Sequence, residues 1–284
     1  MRFLVAESEP DQARDKRRAS VGRSSGETFR DLLLLLAPGA EVDRVTPVDG
    51  DGQAPEVDAM RGYDAVFITG SPIHLYEDTD EARSVIRFMR GVFESGTPSF
   101  GSCAGLQVAA AAAGGKVRHM NGRREAGFAR RITATDEGRD HPLLAGRPPA
   151  WDAIGVHTDE VEALPDGATL LATNGVTAVQ AAEIRMGPGV FWGVQYHPEL
   201  SLAEAAAALR RQAADIVESG LARSDGEVEL QAALIDALAR EPDRRDLRWR
   251  LGLDAEVAER ERRTTELRNF IAYLVRPTIT ERGR

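Results

Sequence analysis

The chain has 284 residues and a mass of 30.8 kDa, room for one large domain or for a domain with an appendage. Hydrophobic residues make up 42% and charged residues 29%, a balance that excludes wholesale disorder. The 45 acidic residues outnumber the 36 basic ones, for a net charge of −9, which argues against a general electrostatic grip on nucleic acid or an anionic membrane.

In chain order, Arg2 to Ala6 is a short apolar run of strand type. The charged stretch Asp11 to Arg18 follows with no apolar segment behind it, so no secretory leader is expected. Glu27 to Leu36 suits a helix stopped by Pro38-Gly39. Ala65 to Thr69 reads as a strand ending in the turn Gly70-Ser71-Pro72. Asp80 to Phe93 has apolar residues at helical spacing, with Ala82, Val85, Ile86, Met89 and Val92 on one face. Pro98 to Ser102 is a brief strand running into Cys103, and Ala104 to Ala113 continues as an alanine-rich helix. The longest apolar runs, Leu32 to Ala37 and Val108 to Ala113, fall well short of the roughly 18 residues of a membrane-spanning helix. Strand alternating with helix predicts an α/β fold, with a mostly parallel central sheet flanked by helices.

Between Lys116 and Val194 the pattern changes to short strands and turns, among them Thr169 to Thr173, Val179 to Ile184 and Val190 to Gln195, so part of the sheet is expected to be antiparallel. Leu202 to Val217 returns to helix. Beyond residue 221 the composition shifts again. Leu230, Leu234 and Leu238 share one helical face, and Leu267, Phe270, Ile271 and Leu274 another. The expected division is a main domain over 1–221 and a C-terminal helical extension over 222–284, packed on that domain or on a second subunit. The extension is too short for a confident core of its own.

The chemistry concentrates at Ser99 to Gln107, SFGSCAGLQ, which places the sole cysteine, Cys103, between Gly101 and Gly105. Glycine two before and two after a nucleophile is the spacing of a strand-to-helix elbow, where the central residue is strained and the flanking backbone comes close. A thiol at that helix start faces unpaired N–H groups and the positive end of the helix dipole, which favours thiolate. The N–H of Ala104 can also receive an oxyanion. One cysteine cannot form an internal disulfide or a zinc site built on several cysteines, and a reducing cytoplasm is the expected location. No histidine–carboxylate spacing suggests a metal, and no phosphate-binding loop occurs, so neither metal nor cofactor is expected.

A cysteine nucleophile needs an oriented imidazole. Of the five histidines, His197 stands in FWGVQYHPE, where Pro198 ends an apolar strand and Glu199 can fix the ring tautomer. GSCAGLQ followed by GVQYHPE resembles the class I glutamine amidotransferase family. Thr69 to Pro72, TGSP, resembles that family's Gly-Gly-Pro turn. Val156 to Pro165, VHTDEVEALP, is similar to the S-H-x-D-x-V-x-x-L-P stretch near the glutaminase part of guanosine monophosphate synthetase. The resemblance spans roughly residues 1–215.

It implies a flavodoxin-like fold and a Cys103–His197–Glu199 triad acting through a γ-glutamyl thioester. It further implies an oxyanion hole from the backbone of Ser71 and Ala104, and substrate contacts from Gly70, Gln107, His157 and Asp159. Leu106 and Ser71 depart from the residues many relatives carry there, histidine and glycine, and leave the identity of the γ-glutamyl donor open. The first expectation is a glutaminase that delivers ammonia to a separate synthetase, since the chain has no room for an acceptor-activating domain. The alternative is a γ-glutamyl hydrolase or peptidase with the same triad, and a third reading is a noncatalytic interaction module. The C-terminal helices are the expected dock for a synthetase or a homo-oligomer, and no nucleic acid or membrane partner is expected.

Two basic pairs, Arg123-Arg124 and Arg130-Arg131, read as a solvated face. Trp151, Trp192 and Trp249 read as core or interface residues.

Overall fold

The computed structural model describes residues 1–50 and 54–283. Eleven strands are present among them: β1 (Arg2–Ala6), β2 (Glu41–Val45), β3 (Ala65–Ile68), β4 (Ser99–Ser102), β5 (Lys116–His119), β6 (Glu125–Ala134), β7 (Ala150–His157), β8 (Asp159–Ala163), β9 (Ala168–Thr173), β10 (Ala181–Met186) and β11 (Gly189–Val194). Nine of them form one sheet in the order β2-β1-β3-β4-β11-β10-β9-β6-β7, and β5 pairs with β8 in a small second sheet. The five strands from β2 to β11 run parallel. The rest continue antiparallel. Parallel strands end at one edge, and β1, β3, β4 and β11 therefore deliver their following residues to the same rim.

Alternation along the strands divides the core in two. Phe3 and Val5 of β1 face a cluster with Phe29 and Leu33 of the helix Ser25–Leu36, whereas Leu4 and Ala6 face one with Val85 and Met89 of the helix Asp80–Ser95. Both strands β1 and β3 are wholly buried along their apolar residues, as expected of a sheet covered on both sides. A third cluster packs Phe128 and Ile154 of the antiparallel half against the helices Leu202–Arg211 and Asp225–Arg240.

Two elements escaped the periodicity. The helix Asp11–Val21 has no apolar stripe because its buried residues are Arg14 and Arg17, neutralised by Asp49 at 2.7 Å and Glu204 at 3.0 Å. β2 carries the mixed sequence EVDRV. Where one helix was expected from Leu202 to Val217, the chain breaks at Gln212 into Leu202–Arg211 and Ala213–Glu218.

The C-terminal segment shares two of the three clusters, the one with Phe3 and Val5 and the one with Phe128 and Ile154. Leu267, Phe270, Ile271 and Val275 lie in the cluster with Phe3 and Trp192. Phe270 sets its ring 5.4 Å from Phe67, 5.6 Å from Phe100 and 6.0 Å from Trp192, three neighbouring strands of the parallel half. Its helix widens to a π turn at Ile271–Val275, one turn before Pro277, which has no N–H for an ordinary i→i−4 bond. In the helix Asp225–Arg240 the buried stripe is Val228, Ala232, Ile235 and Leu238. Leu230 is 60% exposed, so the face expected from leucine spacing alone is rotated. Trp151 and Trp192 are core, whereas Trp249 is 84% exposed.

Phe270→Ala is expected to cost about 3–5 kcal/mol of unfolding free energy, read as a lowered urea midpoint, because it empties the contact between the C-terminal helix and three strands of the sheet.

Candidate active site

The strand β4 turns into the helix Ala104–Ala112 through Cys103, whose φ of 53° lies in the left-handed region and whose ψ is −112°. Two glycines permit this. A Cβ on Gly101 would stand 2.8 Å from the carbonyl carbon of Gly105, and one on Gly105 would stand 2.5 Å from the carbonyl oxygen of Ile68. Strand, elbow and neighbouring strand are thus packed at backbone contact. Cys103 donates its N–H to Val194 O at 2.8 Å, which ties the elbow to the end of β11. Its sulfur lies 3.9 Å from Val156 O.

The same rim carries His197, three residues past β11. A Cβ on Gly70 would meet His197 Cε1 at 3.0 Å and Cys103 Cβ at 3.7 Å, so imidazole and cysteine face one another beside the turn after β3. His197 Nδ1 is 2.7 Å from Glu199 Oε1, and Ser102 Oγ donates to the same oxygen at 2.9 Å. Glu199 Oε2 is buried with no partner among the described residues. Burial alone would depress the basicity of His197, but the Glu199 carboxylate and then the Cys103 sulfur outweigh it and carry the imidazole up to about 10.

The turn after β3 is pinned by Ser71. Its hydroxyl donates to Ser8 O at 2.7 Å and accepts from the Ile73 N–H at 3.2 Å. Ser71 therefore fastens the turn to the residues that follow β1. Among the described residues, the backbone N–H groups of Ser71 and Ala104 have no hydrogen-bond acceptor.

His157 and Asp159 flank the bend from β7 to β8. Both His157 ring nitrogens are engaged, Nδ1 with Asp159 O at 2.9 Å and Nε2 with Glu125 Oε2 at 2.7 Å. Burial would raise the Glu125 carboxyl, but its bonds to His157, Asn174 and Gln180 hold it below the usual range. Asp159 Oδ2 is 2.7 Å from His74 Nδ1, and Oδ1 is buried without a partner among the described residues. Gln107 spends its amide nitrogen on Asp159 O at 2.9 Å and Gln195 Oε1 at 3.2 Å.

Gly70, Ser71, Cys103, Gln107, His157, Asp159, His197 and Glu199 line one cleft of about 610 Å³, the size range of a small-molecule site. Ala104 begins the helix behind the cysteine. The opposite wall went unread in the sequence. It is built from the helix Asp11–Val21, the Leu202–Glu218 region and the residue before β6, and it brings Lys16, Arg17, Arg124, Arg211 and Asp215 to the cleft. Arg124, expected on a solvated face, is only 8% exposed and donates to Gln212 Oε1. Burial lowers its basicity, with only Asp215 opposing. Nothing in a run of arginines distinguishes the one that turns inward. Among the described residues no cluster of His, Cys, Asp and Glu is arranged to hold a metal ion, and no helix is long and apolar enough to cross a membrane.

The profile of the family "glutamine amidotransferase class-I" matches residues 36–216. The chain belongs to the class I glutamine amidotransferases. Among its relatives in the family, the "gamma-glutamyl-L-1-hydroxyisopropylamide hydrolase" of a Pseudomonas species is 34% identical over 98% of this chain and 94% of its own length. The "GMP synthase [glutamine-hydrolyzing]" of Thermomicrobium roseum is 31% identical over 62% of the chain, and the match spans only 30% of that longer protein. Among solved structures, a glutamine amidotransferase from Thermotoga maritima superposes with a TM-score of 0.61 at 19% identity, covering 96% of this chain and 97% of that one. One from Methylobacillus flagellatus gives 0.60 at 18%, covering 95% and 93%. These two establish the amidotransferase fold, C-terminal helices included in the aligned length.

Gly105→Ala is expected to lower the stability by about 2 kcal/mol or more, because the added carbon meets backbone that cannot retreat. Urea unfolding of the variant beside Ala109→Gly, a helix change without that clash, measures it.

Proposed function

We propose that the chain is a thiol hydrolase of γ-glutamyl amides in which Cys103, His197 and Glu199 act as a catalytic triad. The observation that carries the reading is the juxtaposition of Cys103, on a strained elbow, with a buried His197–Glu199 pair in one cleft. Nothing in the packing of a sheet rim calls for all three.

In the first half-reaction the Cys103 sulfur attacks the γ-carbonyl carbon and the oxygen gains charge. The N–H groups of Ser71 and Ala104 are free to receive that oxyanion, each worth about 2.7–4 kcal/mol of barrier in comparable sites. Collapse breaks the C–N bond as His197 gives its proton to the departing amine, leaving a γ-glutamyl thioester. In the second half, water loses a proton to His197 and attacks the thioester. The C–S bond breaks, and glutamate leaves with the sulfur restored. Glu199, at 2.7 Å from Nδ1, holds the ring and balances its charge. Asp159, with one free buried oxygen in the cleft, suits the α-ammonium of the γ-glutamyl group.

Two observations favour an amide with a substituted amine over free glutamine. The cleft continues past the sulfur to the wall of Lys16, Arg17, Arg124 and Arg211, a surface that the small amide of glutamine has no use for. The relative matched nearly end to end is named as a hydrolase of such an amide. This reverses the order in which the sequence ranked its two enzymatic readings. Glutaminase action with ammonia delivered to a separate synthetase is the second reading, and the similarity to GMP synthases supports it. A noncatalytic module leaves the buried relay without a purpose.

With γ-glutamyl ethylamide and glutamine compared in purified protein, the amide is expected to give the higher kcat/KM, with no partner added. A glutaminase rate that exceeds it, or that rises on addition of a synthetase, selects the second reading. Cys103→Ala is expected to lower turnover by about 10³-fold or more and to abolish the γ-glutamyl adduct on the protein seen by mass spectrometry. Because the imidazole stays protonated to about 10, it can serve the departing amine below that pH and loses the proton above it. The alkaline limb of kcat/KM is therefore expected near pH 10, well above the range of an ordinary histidine.

A further inference from the structure

His197 and Glu199 ride on a short connection between β11 and the helix Leu202–Arg211. The sheet ladder ends before them, at Val194, and the backbone of this stretch keeps two outside bonds, from the Gln195 N–H to Gln180 O at 2.9 Å and from the His197 N–H to Ile154 O at 2.8 Å. The residues on either side of the pair are held by the C-terminal helices. Tyr196, wholly buried, donates its hydroxyl to Glu266 Oε1 at 2.8 Å. The carbonyl of Leu200 accepts from Arg263 Nε at 3.0 Å.

Neither holding group is loose. Arg147 Nε and Nη2 donate to the two carboxylate oxygens of Glu266 at 2.6 and 2.7 Å, and its Nη1 reaches Glu256 Oε2 at 2.7 Å. Arg263 Nη1 is anchored in turn on Val257 O at 2.6 Å. Glu266 is fully buried, and Arg147 and Glu256 are nearly so. A buried ion cluster of this kind adds little net stability over an apolar packing of the same volume, because desolvation consumes most of the Coulombic gain. What it does supply is fixed geometry, since each partner accepts only a narrow range of directions. The apolar seat of Phe270 rests on Phe67, Phe100 and Trp192 within the sheet, and Tyr196 carries the same cluster up to the rim where His197 stands.

We infer that Glu266 and Arg263 are positioning residues for the imidazole of His197, so that the C-terminal helices clamp the connection that bears it from both sides. The inference rests on the reading of His197 and Glu199 as the relay of a hydrolase. Misplacement of a reacting group by about 1 Å from a distant change costs on the order of a hundredfold in rate.

The test uses the full chain with γ-glutamyl ethylamide. Tyr196→Phe removes a single oxygen from the clamp, Arg263→Ala frees the Leu200 carbonyl, and Arg263→Lys returns a donor to it. In Tyr196→Phe and Arg263→Ala, kcat is expected to fall about ten- to a hundredfold with KM changed less than about threefold. The alkaline limb of the pH profile is expected to move below its wild-type position as the ring loses part of its hold on Glu199, and Arg263→Lys to recover most of the rate. The rate of Cys103 alkylation by iodoacetamide, followed against pH, gives the same shift without turnover. Tyr196→Phe with wild-type kcat and an unmoved limb overturns the inference. So does a loss of rate that follows only the unfolded fraction measured by urea titration. Failure of the underlying reading is seen separately, as turnover that survives Cys103→Ala, and overturns both.

Discussion

The contact on which the site depends is the approach of Gly105 to the backbone of Ile68, where one added carbon would stand 2.5 Å from a carbonyl oxygen. It locks the helix behind Cys103 against the neighbouring parallel strand, and with it the direction in which the sulfur leaves the sheet. The turn after β3, which begins two residues beyond Ile68, is brought to the same place by the same contact. Cysteine, Gly70 and the imidazole consequently meet because three parallel strands end together. A helix packed any further away would leave the sulfur without the groups that face it.

Charge then does the rest within a small volume. The carboxylate of Glu199 is shared between Ser102 and His197, and with the Cys103 sulfur it raises the basicity of the imidazole despite burial. A second histidine nearby, His157, has both nitrogens consumed by Glu125 and Asp159 O and serves as a strut under the bend that presents Asp159. Two histidines of similar burial thus differ in their partners, Glu199 and the Cys103 sulfur for one, Glu125 and a backbone carbonyl for the other.

Much of this was legible in the residues. The elbow announces itself because steric need writes glycine at fixed offsets, and the end of β11 because proline cannot extend a ladder. The strands and helices of the parallel half follow from apolar runs and stripes. What stayed hidden is polar and long-range. The helix Asp11–Val21 buries arginines instead of leucines, so no periodicity marks it. Arg124 is the second of two adjacent arginines, and its inward turn depends on a helix break at Gln212 that no local signal encodes. The rotation of the Asp225–Arg240 stripe, which leaves Leu230 in solvent, follows from where the helix lands on Leu209 and Ile154, and spacing alone carries no information on that. The partners of Tyr196 lie 70 residues away for the same reason.

The solitary thiol has a consequence for redox damage. Cys103 is the chain's one cysteine and lines the cleft, 6% exposed. A sulfenic acid formed there has no resolving cysteine in the same polypeptide to capture it as a disulfide. Repair must come from an outside reductant small enough to enter, and without one the sulfur advances to the irreversible sulfinic state.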